Sequence, residues 1–302
     1  MDTFAPASAL RRFAPNATEA QILRERYGLS YHVSYCATAD HQLGFAGKRI
    51  LEIGGSLPRE FVRECLGVAS WVAIEYLGYW NTVDAVEHRE GECGGHRLFQ
   101  TPTIELAAAT GSHLDTDYLV LNGGVEDAPS TLDNQFDAAF SIACFEHISR
   151  LPKALESIHR LLKPGGRLFT MFSPIWSAHD GHHLPAITDA SGRQFGFWQS
   201  PIPPWGHLMA TPSELYAYLL NHTDAAAAEE MVYYVYHAPH INRLFVEDYV
   251  RYFKHSSFAV KLCQPTFLTD MVPAAQAELE RRHPGRAHFR NNGIAALLER
   301  SL

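Results

Sequence analysis

Nowhere in the 302 residues are there eighteen uninterrupted apolar positions, so no membrane-spanning helix is expected. No five or six basic residues run together, and 25 Lys+Arg stand against 33 Asp+Glu for a formal charge of -8. Nucleic acid is therefore not an expected partner. The cysteines, Cys36, Cys65, Cys93, Cys144 and Cys263, are odd in number and include no C-x-x-C pair. That excludes an obvious disulfide framework or zinc knuckle and reads as reduced thiols. The first twenty residues, "MDTFAPASALRRFAPNATEA", lack a charged-then-apolar signal, and there is no repeat or long low-complexity tract. A soluble, cytoplasmic protein is expected.

What the chain does have is 46% hydrophobic residues, enough for a full core, and an alternation of strand and helix signals. "RILEIG" (49–54) reads as a buried strand, "REFVRECLG" (59–67) as a helix and "SWVAIEY" (70–76) as the next strand. "DYLVLNG" (117–123) and "FDAAFSIA" (136–143) are apolar runs of strand length. "LPKALESIHRLLK" (151–163) has apolar residues at helical spacing, stops at "PGG" and leads into "RLFTMF" (167–172). Strands separated by helices in this order require a doubly wound, mostly parallel α/β sheet. The expected organisation is an N-terminal helical cap over 1–44, a core over 45–175, a lid or insert over 176–245 and a C-terminal completion of the core over 246–302.

In such a sheet a ligand sits beyond the carboxyl ends of the strands, where the strand order reverses. The first strand ends at Gly54 and Gly55, where backbone can approach a ligand or simply turn tightly. The second ends at Glu75, 21 residues past Gly54, a spacing suited to a carboxylate that accepts ribose hydroxyls. The third and fourth lead into "GGVEDAP" (123–129) and "ACFEHI" (143–148). A nicotinamide-binding dehydrogenase shares the strand, glycine turn and distal acid, but "GGSLPRE" does not supply G-x-G-x-x-G.

"LEIGG", "AIEY", "GGVEDAP", "FDAAFSIACFEHI" and "LLKPGGRLF" together resemble the class I S-adenosylmethionine-dependent methyltransferases, most closely the small-molecule branch often called type 11. The resemblance covers roughly 45–175 and implies a Rossmann-like methyltransferase fold with S-adenosyl-L-methionine as cofactor. The first motif departs from the family pattern, with Ser56 and Pro58 at its second and third glycine positions. By resemblance Glu52, Gly54 and Gly55 lie along the methionyl part of the cofactor and Glu75 holds the ribose. Adenine recognition then falls to the Val125 backbone with Glu126 or Asp127. Ala143, Cys144 and Phe145 flank the sulfonium, where the Phe145 ring would attract the cation. Glu146 has a plainer reading, as an acid near the favourable end of a helix.

Departures from the minimal core should carry substrate choice. The long connection from Ser173 to Met209 holds Trp176, Trp198 and Trp205 with His179, His182, His183 and His207, a composition expected of a binding lid. "TPSELYAYLL" reads as a helix capped by Thr211, "DAAAAEE" as a short helical or mobile stretch, and 246–268 as a helix and a late strand. The N-terminal segment 17–45 is helical and aromatic in character and suited to close over the cofactor. Because the sulfonium is already electrophilic, the protein must chiefly align an acceptor and exclude water. His147, His182, His183 and His207 are the candidate bases or substrate contacts. His179, Asp180 and the lid histidines are also metal-ligand types, but they match no ligand spacing, and no metal is expected. The expected activity is methylation of a small polar metabolite or biosynthetic intermediate, on oxygen rather than nitrogen. The alternative is a methyltransferase-like domain that binds a nucleoside or a protein partner without transfer, and a homodimer is left open.

Overall fold

The computed structural model describes residues 12–55, 57–78 and 103–302. An eight-stranded sheet organises them, in the order β3-β4-β2-β1-β5-β6-β10-β9. Its strands are β1 (Arg49–Ile53), β2 (Ser70–Glu75), β3 (Thr103–Glu105), β4 (Tyr118–Asn122), β5 (Phe136–Ile142), β6 (Leu162–Phe172), β9 (Phe258–Leu268) and β10 (Asn291–Arg300). Neighbours from β3 to β6 pair in parallel; β10 runs antiparallel to both β6 and β9. The doubly wound, mostly parallel α/β sheet expected from the alternation is present. The register between β5 and β6 breaks between Phe136 and Ala138, next to the "KPGG" turn.

The alternation of side chains in β1 explains both covering layers, because successive residues face opposite sides. Leu51 and Ile53 bury with Leu155 and Ile158 of a helix at Leu151–Leu161 and with Tyr249 and Phe253 of one at Val246–His255. Ile50 packs on the other side with Val33 and Cys36 of a helix at His32–Leu43, called α2 below, and with Phe61 of the Arg59–Glu64 helix. Each such aliphatic side chain contributes roughly 1.5–3 kcal/mol by leaving water. A first helix, Ala17–Tyr27, starts at a reciprocal cap in which Asn16 accepts from the Glu19 N–H and the Glu19 carboxylate accepts from the Asn16 N–H.

Residues after β6 build a cap with its own core. It contains a two-stranded hairpin of β7 (Ile187–Thr188) and β8 (Gln194–Phe195), and helices at Gly206–Met209, Pro212–Leu219 and Ala225–Tyr236. Thr211 and Glu214 cap the second of these reciprocally, and Asp224 caps the third through the Ala226 and Ala227 N–H groups. "DAAAAEE" is thus the start of an ordered helix. Trp176 and Trp205 are buried in this core; Trp198 is exposed. Leu279, from a helix at Pro273–Arg282, and Phe289 pack there too. Part of the segment assigned to completing the sheet therefore builds the cap. Of the long connection between Glu75 and residue 117, positions 79–102 lie outside the described residues, as do Cys93 and Ser56. Cys36, Cys65, Cys144 and Cys263 are free thiols. Among the described residues, no helix is long and apolar enough to cross a membrane.

Candidate active site

β1 has β2 on one side and β5 on the other, so the chain winds outward in both directions from this point and leaves a crevice beyond the carboxyl ends. Glu52, near the end of β1, is buried, and its carboxylate accepts the Trp71 indole N–H at 2.6 Å. Gly54 turns with φ +76°, and a Cβ there would stand 2.6 Å from Cβ and Sγ of Cys144. A Cβ on Gly55 would stand 2.4 Å from Cβ of Ala73. The glycine pair is thus needed first for close packing against the strand ends on either side. Glu75 is buried at the end of β2, where its carbonyl accepts the Gly123 N–H at 3.0 Å.

Burial holds the Cys144 thiol well above the ordinary cysteine range, and the negative charges of Glu75, Glu146 and Glu126 add to the effect. Three loops therefore deliver their acids around one point, and the thiol there is protonated and inert. Val125 opens a short 3-10 turn, Val125–Asp127, with its side chain in the core. Glu126 lies 3.6 Å from Arg150 Nε, and Asp127 is exposed and paired with Arg150 and Lys153. The Asp127 carboxylate is engaged on that outer surface. Ala143 leaves β5 with φ +46°.

Phe145 corrects one expectation. Its ring has no exposed surface and sits 5.6 Å from the Phe172 ring and 6.5 Å from Phe253, inside the core. In "ACFEHI" the apolar side chain turns inward, so it presents no face to a bound cation. Glu146, one residue on, is the buried acid of this loop, and its charge acts on Cys144 beside the glycine turn. It is 1% exposed, and burial drives its carboxyl up to about 8, against the lowering effect of the Ser173 and its own N–H groups. Its Oε2 has no hydrogen-bond partner among the described residues. The half-buried Tyr35 phenol on α2, hydrogen-bonded to the Ser173 side chain, and the buried Tyr249 phenol both feel its charge. Asn242 donates its backbone N–H to the Glu146 carbonyl at 2.8 Å and its side-chain amide to the carbonyls of Phe145 and Ile148, which ties the cap to this loop. A lone acid between Phe145 and Ile148 is the signal that could have marked Glu146; Tyr35 and Asn242 arrive from distant segments and carry none.

The four histidines fall into two pairs. His147 and His183 meet edge-on, ring centroids 5.1 Å apart, with His147 Nδ1–H donating to the His240 carbonyl at 2.5 Å and His183 Nε2–H to that of Pro174 at 2.7 Å. His182 and His207 lie deeper in the cap, 6.0 Å apart; His207 donates to the Trp176 carbonyl at 2.8 Å, and His182 accepts the Leu184 N–H. Burial lowers all of them, His147 and His207 to about 4 and His182 to about 3, and His183 well below its usual value. They are neutral hydrogen-bonding groups at pH 7. Among the described residues no three His, Cys, Asp or Glu side chains converge as a metal site would require.

A cavity of about 530 Å³ opens at the other end of the strands, lined by Arg49, Ser70, Asp117, Asp137 and Lys163. These are strand starts, so this space is separate from the crevice beside the glycine turn. Beside the turn stand small residues, a buried acid ending β2, and the Glu146 Oε2, which has no hydrogen-bond partner among the described residues.

Residues 100–170 match the family model described as "Methyltransferase domain". No curated protein matches the chain. Similar solved structures include an S-adenosylmethionine-dependent methyltransferase from Mesorhizobium loti, at 15% identity over 84% of this chain and 92% of that one, TM-score 0.38. A geranyl diphosphate C-methyltransferase from Streptomyces coelicolor is 11% identical over 98% and 86%, TM-score 0.43. A chain of the complex between the Haloferax volcanii Trm112 methyltransferase activator and a methyltransferase is 14% identical over 95% of each, TM-score 0.43. Likenesses this loose decide nothing about substrate. The family match spans the part of the sheet from β3 into β6, and the motif order and the strand order with its reversal at β1 are those that the resemblance to class I S-adenosylmethionine-dependent methyltransferases implies.

Proposed function

We propose that this methyltransferase acts on a hydroxyl of a small polar metabolite or biosynthetic intermediate held between the carboxyl edge of the sheet and the cap. The observation that carries the reading is the meeting of Gly54, Cys144, Glu75 and Glu146 at the crevice, roofed by a cap joined to it through Asn242. The Gly54–Gly55 turn and Glu52 beneath it would seat the methionyl end of the cofactor, and Glu75 its ribose. When bound, the cofactor supplies the electrophilic methyl group. The chain's own work is to hold the acceptor in line, exclude water and receive a proton.

The buried, neutral histidines of the cap fit the role of gripping substrate polar groups better than that of a base, since their lowered basicity makes them poor proton acceptors at pH 7. The preference for oxygen over nitrogen follows from the small-molecule branch that the motifs resemble. Native mass spectrometry of the purified protein, followed by labelled-methyl transfer onto a panel of alcohols, phenols and amines, tests the proposal. Cofactor binding with transfer to a hydroxyl compound is expected. Transfer confined to amines would overturn the oxygen preference, and binding with no transfer to any acceptor would favour a binding domain.

A further inference from the structure

Glu146 is the group in this crevice for which the fold gives no internal explanation. One side of its carboxyl is held by the N–H of Ser173, where the chain leaves the sheet; Oε2 is buried and has no partner among the described residues. A buried acceptor without a donor ordinarily destabilises a protein, so an orphan of this kind is expected where something else completes it. Among the described residues its charge acts on Tyr35 of α2, Tyr249 of the Val246–His255 helix and Cys144 of its own loop, with Glu75 and Glu126 around that same thiol, and Asn242 of the cap bonds its backbone carbonyl. None of them is positive. His147, the next residue, is neutral. Among the described residues the carboxyl has neither a cation acting on it nor a partner for Oε2, and a sulfonium cofactor with a hydroxyl acceptor would bring both.

We propose that Glu146 is the general base of the reaction and that the positive charge of the bound cofactor switches it on. This rests on the methyltransferase reading above and names the proton acceptor within it. In the ligand-free protein Glu146 is a neutral acid, because burial without a cation disfavours the carboxylate. A positive charge nearby reverses that preference, and Glu146 releases its proton to solvent. The carboxylate then takes the O–H proton of the acceptor while the acceptor oxygen bonds to the methyl carbon. The carbon–sulfur bond breaks with its electron pair staying on sulfur, which becomes a neutral thioether. With the cation gone, Glu146 is left as the acid it was at the start.

The test is calorimetric and does not need an acceptor. Binding of S-adenosylmethionine and of its neutral demethylated product is measured at pH 7 in buffers of different ionisation enthalpy. The two ligands share every group except the charged methyl-sulfonium. The expected result is release of about one more proton with S-adenosylmethionine than with the product, since a group ionising near pH 8 is mostly protonated beforehand. The difference should vanish in Glu146→Gln, which still binds both. It should also fade in the wild type at pH 9 and above, a check that needs no variant. Equal proton release by the two ligands, or a difference that persists in Glu146→Gln, would overturn the proposal. Failure of the folded protein to bind either ligand would overturn the methyltransferase reading itself and this proposal with it.

Discussion

Replacing Glu146 by Gln should stabilise the ligand-free protein at alkaline pH and do little at acid pH. The carboxyl titrates near 4.5 in an unfolded chain and at about 8 in the fold. Between those values the folded state binds the extra proton, so stability is fully present below pH 4.5 and is lost as pH rises through 8. Integrating the linkage from pH 5 to pH 8 gives a loss of about 3.5 kcal/mol from this one group. A glutamine cannot ionise and escapes it. The buried imidazoles titrate alike in both proteins and drop out of the comparison. Urea unfolding followed by tryptophan fluorescence at pH 5 and pH 8 should show the wild-type deficit relative to Glu146→Gln growing by about that amount, a large share of a typical stability of 5–15 kcal/mol. A gap of the same size at both pH values would refute the reasoning, because it would mean that Glu146 ionises freely despite its burial.

Glu75→Ala should weaken S-adenosylmethionine and its demethylated product alike, by roughly tenfold to a hundredfold for a lost charge-assisted hydrogen bond; unchanged affinity by calorimetry would remove Glu75 from the site. Gly54→Ala places a methyl 2.6 Å from Cys144 at positive φ and should destabilise by roughly 1–3 kcal/mol, with part of the loss recovered by adding Cys144→Gly. His182 and His207 are buried neutral with lowered pKa values, so the unfolded chain takes up protons first as pH falls below about 6.5 and the cap loses stability toward pH 4; His207→Phe should flatten the decline of the melting temperature between pH 7 and pH 5. Exhaustive chelation should leave turnover unchanged; activity lost on chelation and restored by one divalent ion would instead point to a metal.

How far the sequence reached can be followed through single residues. β1, β2, β4 and β5 were legible because each is an apolar run of strand length ending at a glycine, an acid or a turn. β10 was not: "GIAALLE" is rich in alanine and leucine, which favour helix, and only its place between β6 and β9 makes it a strand. The two capped helices of the cap were legible from Thr211 and Asp224, since a cap is a local device. At the site, Gly54 and Glu75 could be located by spacing, yet the contacts that require the glycines, with Cys144 and Ala73, join segments far apart in the chain. The inward turn of Phe145 was not legible, because spacing places a loop but not the direction of each side chain within it. Whether an acid is buried depends on what distant segments pack around it, which a single loop's sequence does not show.

The sharing of the cap's core between two parts of the chain limits how this protein can open. The chain passes from sheet to cap after Phe172, returns before Val246, enters again after Leu268 and leaves at the start of β10, so four crossings join the two layers. A lid on one or two connections can swing about them as a hinge. One sewn down at four points, with Leu279 and Phe289 locked among Trp205 and Leu208, resists rotation as a body. Under the proposed function, passage of acceptor and product falls to small movements at the rim, where the half-buried Tyr35 of α2 is hydrogen-bonded to the Ser173 side chain. Under that reading, acceptor range should respond more to substitutions along α2 than to any that loosen the roof.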